Sequence, residues 1–217
     1  MNYFYIILLF ILCYILGGIP TGYLVGKSRG IDIRTKGSGN PGTANVYRNL
    51  GAKAGLLTFA VDFLKGMIPT LVATHFFFMP GSVDFSRGHW WITVAAGAFT
   101  IFGHIWTPFL GFKGGKGVAT SAGVFTALLP VPTAFAFAVF GIAVAITSHI
   151  SVGSILAAIS LPIFSVVYCY WYTPATAWHL RPFIILAFCV AVLIVCTHIP
   201  NIRRIMSGKE LSFRHKK

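Results

Sequence analysis

Long apolar runs make up most of this 217-residue chain, and they leave few folds open to it. The runs cover residues at about 3–26, 54–78, 89–110, 117–148, 151–172 and 182–200. A helix needs roughly 20 apolar residues to cross the ~30 Å hydrocarbon core of a bilayer. Only 10% of the residues are charged, against about a quarter in soluble domains. The sequence therefore predicts an all-α fold, a polytopic transmembrane helix bundle.

The run over 117–148 is too long for one crossing, and Pro130 and Pro132 interrupt it. Proline breaks or kinks a helix because it lacks an N–H donor and clashes with the preceding turn. We therefore expect separate helices over 117–129 and 132–148, and about seven helices in one integral-membrane domain over residues 1–217. At ~1.5 Å per residue the segment 117–129 covers only ~20 Å, so we expect a tilted or half-buried helix there.

The distribution of cations supports this count and predicts an orientation. Six cations lie between the first two runs, two between the third and fourth runs, and six after residue 200. With seven crossings all three groups lie on one side, as the positive-inside rule requires. We therefore predict the N-terminus outside and the C-terminus in the cytoplasm. The net charge of +13 indicates this topology and contact with anionic membrane lipid, and no nucleic acid is expected as a partner.

The first polar stretch, KGSGNPGTANVYRNLG at residues 36–51, contains the pattern G-x-G-x-x-G. A dinucleotide site requires a strand before the glycines and a helix after them, but an apolar helix precedes them here. A flexible loop has little need for polar side chains set among glycines, whereas glycine amides, a forked arginine and a helix N-terminus suit a phosphate. The candidate anion-binding residues are Gly37, Ser38, Gly39, Asn40, Thr43, Asn45 and Arg48.

The second polar stretch, GFKGGKGVAT at residues 111–120, places two lysines among glycines where a helix is expected to begin. It is not a Walker A loop, because Gly117 and not Ser or Thr follows Lys116. A loop that merely fixes topology is the alternative, and for Lys113 both interpretations stay open. The position of Lys116 favours phosphate binding. The candidates here are Lys113, Gly114, Gly115, Lys116 and Gly117.

The third polar stretch, HIPNIRRIMSGKE at residues 198–210, follows the last apolar run. The spacing of His198, Asn201 and Arg204 places them on one helical face, and Lys209 and Glu210 come next. A basic helix that binds anionic lipid would explain the cations but not the histidine, the asparagine or the glutamate. The predicted topology puts all three polar stretches at the cytoplasmic surface, which predicts one interfacial site.

Two further features inside the apolar runs carry polar chemistry. Asp62 and Lys65 lie three apart in the second run, where charges are costly and usually pair towards the bundle interior, so structural pairing is favoured over chemistry. His104 is interpreted as a helix-end histidine with its hydrogen bonds satisfied. The four cysteines lack metal-ligand spacing, and we expect no metal and no cofactor.

Together the motifs GSGNPGTANVYR, DFLKG, GHIWTPFLGFKGGKGVAT and HIPNIRRIMSGKE resemble the bacterial acyl-phosphate-dependent glycerol-3-phosphate acyltransferases. The resemblance covers nearly the whole chain in order and spacing. It implies a seven-helix enzyme of the bacterial inner membrane, with its active site at the cytoplasmic face. Such an enzyme makes lysophosphatidate from glycerol 3-phosphate and a fatty acyl phosphate, which a soluble partner acyltransferase supplies. A transporter of a small phosphorylated anion is the alternative, but no inverted repeat is evident.

The resemblance also implies roles for individual residues. Those expected to be catalytic are Ser38, Asn40, Arg48, Lys116, His198, Asn201 and Glu210. The resemblance also implies that Gly114, Gly115 and Gly117 bind substrate phosphate. From the polar stretches themselves we further expect substrate binding by Gly37, Gly39, Thr43, Asn45, Lys113, Arg204 and Lys209. The chain departs from the family at Thr43–Ala44, where Ala and then often Thr are usual. Our hypothesis is direct attack of the glycerol hydroxyl on the acyl carbon, with no covalent acyl-enzyme.

Overall fold

The structure, a computed structural model, describes residues 3–78, 90–172 and 177–213. Within these ranges it contains ten α-helices, two 3-10 turns and no strand. The helices are α1 (Tyr3–Gly18), α2 (Thr21–Lys27), α3 (Thr43–Leu50), α4 (Ala52–Phe78), α5 (Trp90–Ile105), α6 (Val118–Leu128), α7 (Pro130–Thr147), α8 (Ile150–Tyr172), α9 (Ala177–Thr197) and α10 (Ile199–Met206). The 3-10 turns are Ile33–Thr35 and Pro108–Leu110. The predicted all-α fold is confirmed.

Five helices of the described chain are long and apolar enough to cross a membrane, and α1 with α2, bent by 40°, counts as a sixth. The remaining apolar helix, α6, has 11 residues and spans only about 16 Å. The predicted division of the fourth apolar run is confirmed, since α6 ends at Leu128 and α7 begins at Pro130. Proline is tolerated at that first helical position because the N–H there has no intrahelical acceptor. The predicted orientation of the termini stays a prediction.

The chain divides into two compact units, Met1–Leu128 and Leu129–Lys217. In the first unit α1 packs on α5, and α4 packs on α3, α5 and α6. In the second unit α8 packs on α7 and α9, while α10 lies at the end of α9. The first unit contains the first and second polar stretches, and the second unit contains the third. The expectation of one domain over residues 1–217 stays a prediction.

Helices α4 and α6 cross closely because a glycine of each helix faces the backbone of the other. A Cβ built at Gly66 would lie 2.1 Å from the carbonyl oxygen of Thr120. A Cβ built at Gly123 would lie 2.0 Å from the carbonyl oxygen of Phe63. Small residues let membrane helices approach until van der Waals and Cα–H···O contacts hold them together. The crossing holds α6, and with it the end of the second polar stretch, against α4.

The substitution Gly123→Ala tests this crossing. Its methyl group would overlap the backbone of α4, so we expect the free energy of unfolding to fall by ~1–3 kcal/mol. The thermal unfolding midpoint of the detergent-solubilised protein measures the effect. Gly141→Ala on α7 is the matched control, because a Cβ there meets no atom within 4 Å and alanine favours the helix. An equal or higher midpoint for Gly123→Ala than for the control would contradict the close crossing.

Candidate active site

The buried side chain of Asn45 holds the first polar stretch together. Its side chain is only 1% exposed, and its Oδ1 accepts a hydrogen bond from the amide of Ser38 at 3.0 Å. Its Nδ2 donates to the carbonyl oxygens of Ile33 and Lys36 at 3.1 and 3.0 Å. Both N–H donors of the amide group are therefore used inside the loop. This geometry supports a role for Asn45 in holding the loop, and the predicted contact with substrate stays a prediction.

Two glycines of this loop adopt backbone angles that other residues avoid. Gly37 has a φ of 55° and Gly39 a φ of 72°, both in the left-handed region. A Cβ at Gly37 would also lie 2.4 Å from Oδ1 of Asn45. The G-x-G pattern therefore follows from the turn around Asn45. The dinucleotide interpretation gains no support, because no strand precedes the glycines in the described part of the chain.

The approach to this loop is fixed by an ion pair. Arg34 donates from Nε and a terminal nitrogen to the two carboxylate oxygens of Asp32, at 3.0 and 2.7 Å. The Arg34 side-chain hydrogen bonds lower the pKa of Asp32 to about 2. The guanidinium also lies 4.7 Å from the ring centroid of Tyr23 on α2, within cation–π range. The start of the loop therefore contacts α2 through Arg34.

Helix α3 begins at Thr43, directly after the loop. The amide of Gly42 donates to Oδ1 of Asn40 at 2.9 Å, which turns the chain into the helix. The first N–H groups of a helix have no intrahelical acceptor. Oγ1 of Thr43 is also buried, and within the described structure it has no hydrogen-bond partner. Arg48 lies in the last turn of the same helix and is half-buried.

The second polar stretch lies flat on the C-terminal end of α5. The amides of Gly114 and Gly115 donate to the carbonyl oxygens of Ile105 and His104, at 2.9 and 3.1 Å. A Cβ at Gly114 would lie 2.0 Å from the His104 carbonyl oxygen, and one at Gly115 would lie 2.1 Å from its Nε2. These two glycines are therefore needed for close approach. Of the lysines predicted there, Lys113 is exposed and Lys116 is half-buried.

Glu210 organises the third polar stretch. Its side chain is 3% exposed, and it accepts hydrogen bonds from Asn201 Nδ2 at 2.6 Å, Ser151 Oγ at 2.8 Å and Arg204 Nε at 2.8 Å. Burial acts to raise the pKa of this carboxyl, but the hydrogen bonds from Asn201, Ser151 and Arg204 outweigh it and lower the pKa. The geometry supports Glu210 as the anchor of Asn201 and Arg204, and its predicted catalytic role stays a prediction.

His198 lies at the junction of α9 and α10 and is 3% exposed. Its Nδ1 lies 2.8 Å from the carbonyl oxygen of Ile194. Because a carbonyl oxygen only accepts, this contact assigns the proton to Nδ1 and leaves Nε2 as the acceptor nitrogen of the neutral ring. A histidine held in this way has the chemistry of a proton acceptor.

Several residues that build these stretches carried no signal in the sequence. Ser151 is 59 positions from Glu210, and only the folded chain brings its hydroxyl to the carboxylate. Thr21, which donates to Asp62 at 2.8 Å, follows Pro20 at the break between α1 and α2.

Lys209, one of the predicted binding residues, is exposed. No group of three or more His, Cys, Asp or Glu side chains among the described residues could hold a metal ion. The convergence of the three stretches stays a prediction.

Comparison with known proteins explains this set of features. Residues 7–208 match the family described as glycerol-3-phosphate acyltransferase. A glycerol-3-phosphate acyltransferase of Endomicrobium trichonymphae is 42% identical over 209 residues, which cover 96% of each chain. Another, of Geobacter sulfurreducens, is 42% identical over 202 residues, which cover 93% of this chain and 94% of its own.

The fold matches solved structures over nearly its whole length. The crystal structure of PlsY (YgiH), an integral membrane glycerol 3-phosphate acyltransferase, in its glycerol 3-phosphate form has a TM-score of 0.82 and 36% identity, covering 96% of each chain. The lysophosphatidic acid form has a TM-score of 0.78 and 34% identity, covering 95% of this chain and 94% of its own. These matches define a multi-pass integral-membrane acyltransferase of phospholipid synthesis. The chain belongs to the glycerol-3-phosphate acyltransferase family.

The Glu210 network predicts a stability that depends on pH. A carboxyl whose pKa is lowered by folding stabilises the protein above its unfolded pKa, about 4.3, and this stability is lost as the pH falls through the folded value. We expect Glu210→Gln to lower the free energy of unfolding by about 2 kcal/mol at pH 7, with the difference from wild type shrinking below pH 4. Thermal unfolding in detergent between pH 7 and pH 3 measures this.

The control for that experiment is Ser154→Ala on α8. Its hydroxyl is part-buried and donates only to the carbonyl oxygen of Ile150 in its own helix, at 2.9 Å. Its difference from wild type should therefore stay constant across the pH range. A Glu210→Gln difference that is equally constant would contradict an ionised, hydrogen-bonded Glu210.

Proposed function

We propose that this chain transfers a fatty acyl group from acyl phosphate to the 1-hydroxyl of sn-glycerol 3-phosphate, giving lysophosphatidate and phosphate. Family membership supports the acceptor, and the two forms of the solved relative carry the names of an acceptor and a product of this reaction. The acyl phosphate donor and the 1-hydroxyl are part of the proposal. A soluble acyltransferase that produces acyl phosphate is the proposed source of the donor.

One observation in the first unit carries the phosphate-binding part of the proposal. Oγ1 of Thr43 is buried at the start of α3 with no hydrogen-bond partner in the described structure. A buried hydroxyl without a partner costs free energy, and a phosphate oxygen would accept its hydrogen bond. The first N–H groups of α3 would donate to the same ligand, because a helix N-terminus favours an anion. Thr43 thus supplies a hydroxyl donor beside the first amides of α3.

The second polar stretch offers a further cation for phosphate. Lys116 is half-buried immediately before Gly117, whose φ of 84° turns the chain into α6. Two phosphate-bearing substrates bring up to about four negative charges to a site. Arg48 and Lys116 in the first unit, and Arg204 and Lys209 in the second, are the proposed neutralising groups. Of these groups, Arg204 also donates a hydrogen bond to Glu210.

The chemistry follows from the activated donor. The acceptor's hydroxyl oxygen forms a bond to the acyl carbon, and the bond from that carbon to the phosphate oxygen breaks. The hydroxyl proton goes to the departing phosphate or to His198, whose Nε2 is the acceptor nitrogen of its neutral ring. Ser38, Asn40 and Lys116 are the proposed donors to the developing oxyanion. Because phosphate leaves readily, positioning supplies much of the catalysis and no enzyme nucleophile is needed.

The proposed location is the bacterial inner membrane, with the site at the cytoplasmic face. The cation groups of the first and second polar stretches support this side, because positively charged loops stay in the cytoplasm. The acyl chain of the donor would lie among apolar helices, and its phosphate would reach the interface.

An assay with purified protein in detergent micelles tests the donor. With glycerol 3-phosphate and palmitoyl phosphate we expect lysophosphatidate and phosphate in equal amounts, and no product with palmitoyl coenzyme A. Arg48→Ala should lower kcat/KM about 100-fold. Arg48→Lys should recover only part of this activity, because an ammonium cannot donate two parallel hydrogen bonds to a phosphate as a guanidinium does. Lys53→Ala, at an exposed cation in the first turn of α4, is the control and should match wild type. Turnover with the coenzyme A ester alone would overturn the donor assignment.

Direct attack predicts that no acyl-enzyme accumulates. Protein incubated with radiolabelled palmitoyl phosphate and no acceptor, then denatured, should carry no covalent label. Addition of glycerol 3-phosphate to a parallel sample shows that the same preparation is active. Label that survives denaturation and disappears after the acceptor is added would establish a covalent intermediate instead.

A further inference from the structure

A buried ion pair lies within α4, one of the spanning helices of the first unit. Nζ of Lys65 is 2.7 Å from Oδ1 of Asp62, and their side chains are 7% and 2% exposed. Ionisable groups within membrane-spanning helices are energetically costly and mark functional positions. Replacing a buried pair by apolar side chains is often neutral or stabilising, so folding alone gives little reason to keep one. The contacts around the pair suggest what it does.

One side of the pair is tied to the first polar stretch. At the break between α1 and α2, Nζ of Lys65 donates to the carbonyl oxygen of Ile19 at 2.7 Å, and Oγ1 of Thr21 donates to Oδ1 of Asp62 at 2.8 Å. The next residue, Gly22, touches the loop itself, since a Cβ there would lie 1.9 Å from the carbonyl oxygen of Pro41. The pair therefore fixes the start of α2, and α2 supports the glycine turn that precedes α3.

The other side of the pair faces the second polar stretch. Nδ1 of His104 lies 3.8 Å from Oδ1 of Asp62, beyond hydrogen-bond length. The opposite nitrogen, Nε2, faces Gly115 so closely that a Cβ there would lie 2.1 Å away. The imidazole ring thus fills the space between the carboxylate and the glycine that precedes Lys116.

We propose that Asp62, Lys65, Thr21 and His104 are positioning residues that hold the first and second polar stretches in one fixed arrangement for phosphate binding. The proposal rests on the function proposed above, which assigns phosphate to these two stretches. His104 lies against Gly115, the residue before Lys116. Lys65 and Thr21 join α4 to the break between α1 and α2, from which α2 leads to the loop before Thr43. The four side chains do not contact substrate, and their effect is on where the phosphate donors lie.

The hydroxyl of Thr21 gives the sharpest test, because it can be removed without a change of charge or shape. Thr21→Val removes the donor to Asp62, and Thr21→Ser keeps it. The control is Thr70→Val in α4, whose hydroxyl is also buried but donates only to the carbonyl oxygen of Gly66 in its own helix, at 2.8 Å. Thermal unfolding midpoints in detergent establish that the variants are folded.

Hydrogen exchange by mass spectrometry is the first measurement, since it needs no turnover. In Thr21→Val we expect exchange at the amides of Ser38, Gly42, Gly114 and Gly115 to accelerate about tenfold, while α7–α9 stay as in wild type. Thr21→Ser and Thr70→Val should both match wild type. Equal protection of these amides in Thr21→Val and Thr70→Val would overturn the proposal, whatever the activity of the enzyme.

Kinetics is the second measurement. We expect Thr21→Val to raise KM for at least one phosphate-bearing substrate about tenfold. Thr21→Ser, which keeps the hydroxyl, should have the wild-type KM. An unchanged KM in Thr21→Val would overturn the proposal. An inactive wild type with a clear exchange effect would instead overturn the proposed function and leave the positioning role standing, so the two failures are distinguishable.

A paired substitution covers the ionic groups themselves. Asp62→Leu alone would strand the buried charge of Lys65, so its failure to fold would be uninformative. The double variant Asp62→Leu with Lys65→Met leaves no unpaired charge. We expect it to fold and to show the exchange and KM changes of Thr21→Val or larger ones. A folded double variant with wild-type exchange and KM would overturn the proposal, and if it fails to fold the Thr21 variants decide.

Discussion

The first unit is arranged around one interaction, the ion pair of Asp62 and Lys65 inside α4. The two charges must stay paired in this environment of low dielectric constant, because an uncompensated buried ion costs several kcal/mol. The pair therefore has one geometry, and each partner also forms a contact with a neighbouring segment. Lysine reaches the break between α1 and α2, and aspartate accepts from Thr21 and faces His104. The backbone at the break between α1 and α2 is thereby held by a hydrogen bond from a second helix.

The elements of the fold could be predicted from the sequence because they depend on local properties. Apolar runs of sufficient length predicted the spanning helices, and Pro130 predicted the break between α6 and α7. In a membrane each of these features acts on its own segment, since every helix must satisfy its own backbone hydrogen bonds.

The construction of the candidate site could not be predicted, because it depends on residues far apart in the chain. The sequence marks Asn45 as a polar residue among glycines, but it does not show that the hydrogen bonds of Asn45 hold the surrounding loop together. His104 was expected to be a satisfied helix-end residue, and the structure places its ring between Asp62 and Gly115. Ser151 carried no signal at all before the chain was folded. Sequence patterns identified which residue types were unusual, but only tertiary contacts show which of them hold others in place.

The glycines of the polar stretches serve two separate needs. Gly37 and Gly39 supply backbone angles, whereas Gly114 and Gly115 supply space against the end of α5. For the second kind there is no gradual path of change, because alanine is the smallest step that any mutation of glycine can take. One methyl group at Gly115 already overlaps an imidazole ring. Any change to this stretch must therefore begin at a neighbouring position such as Lys113, whose side chain is exposed.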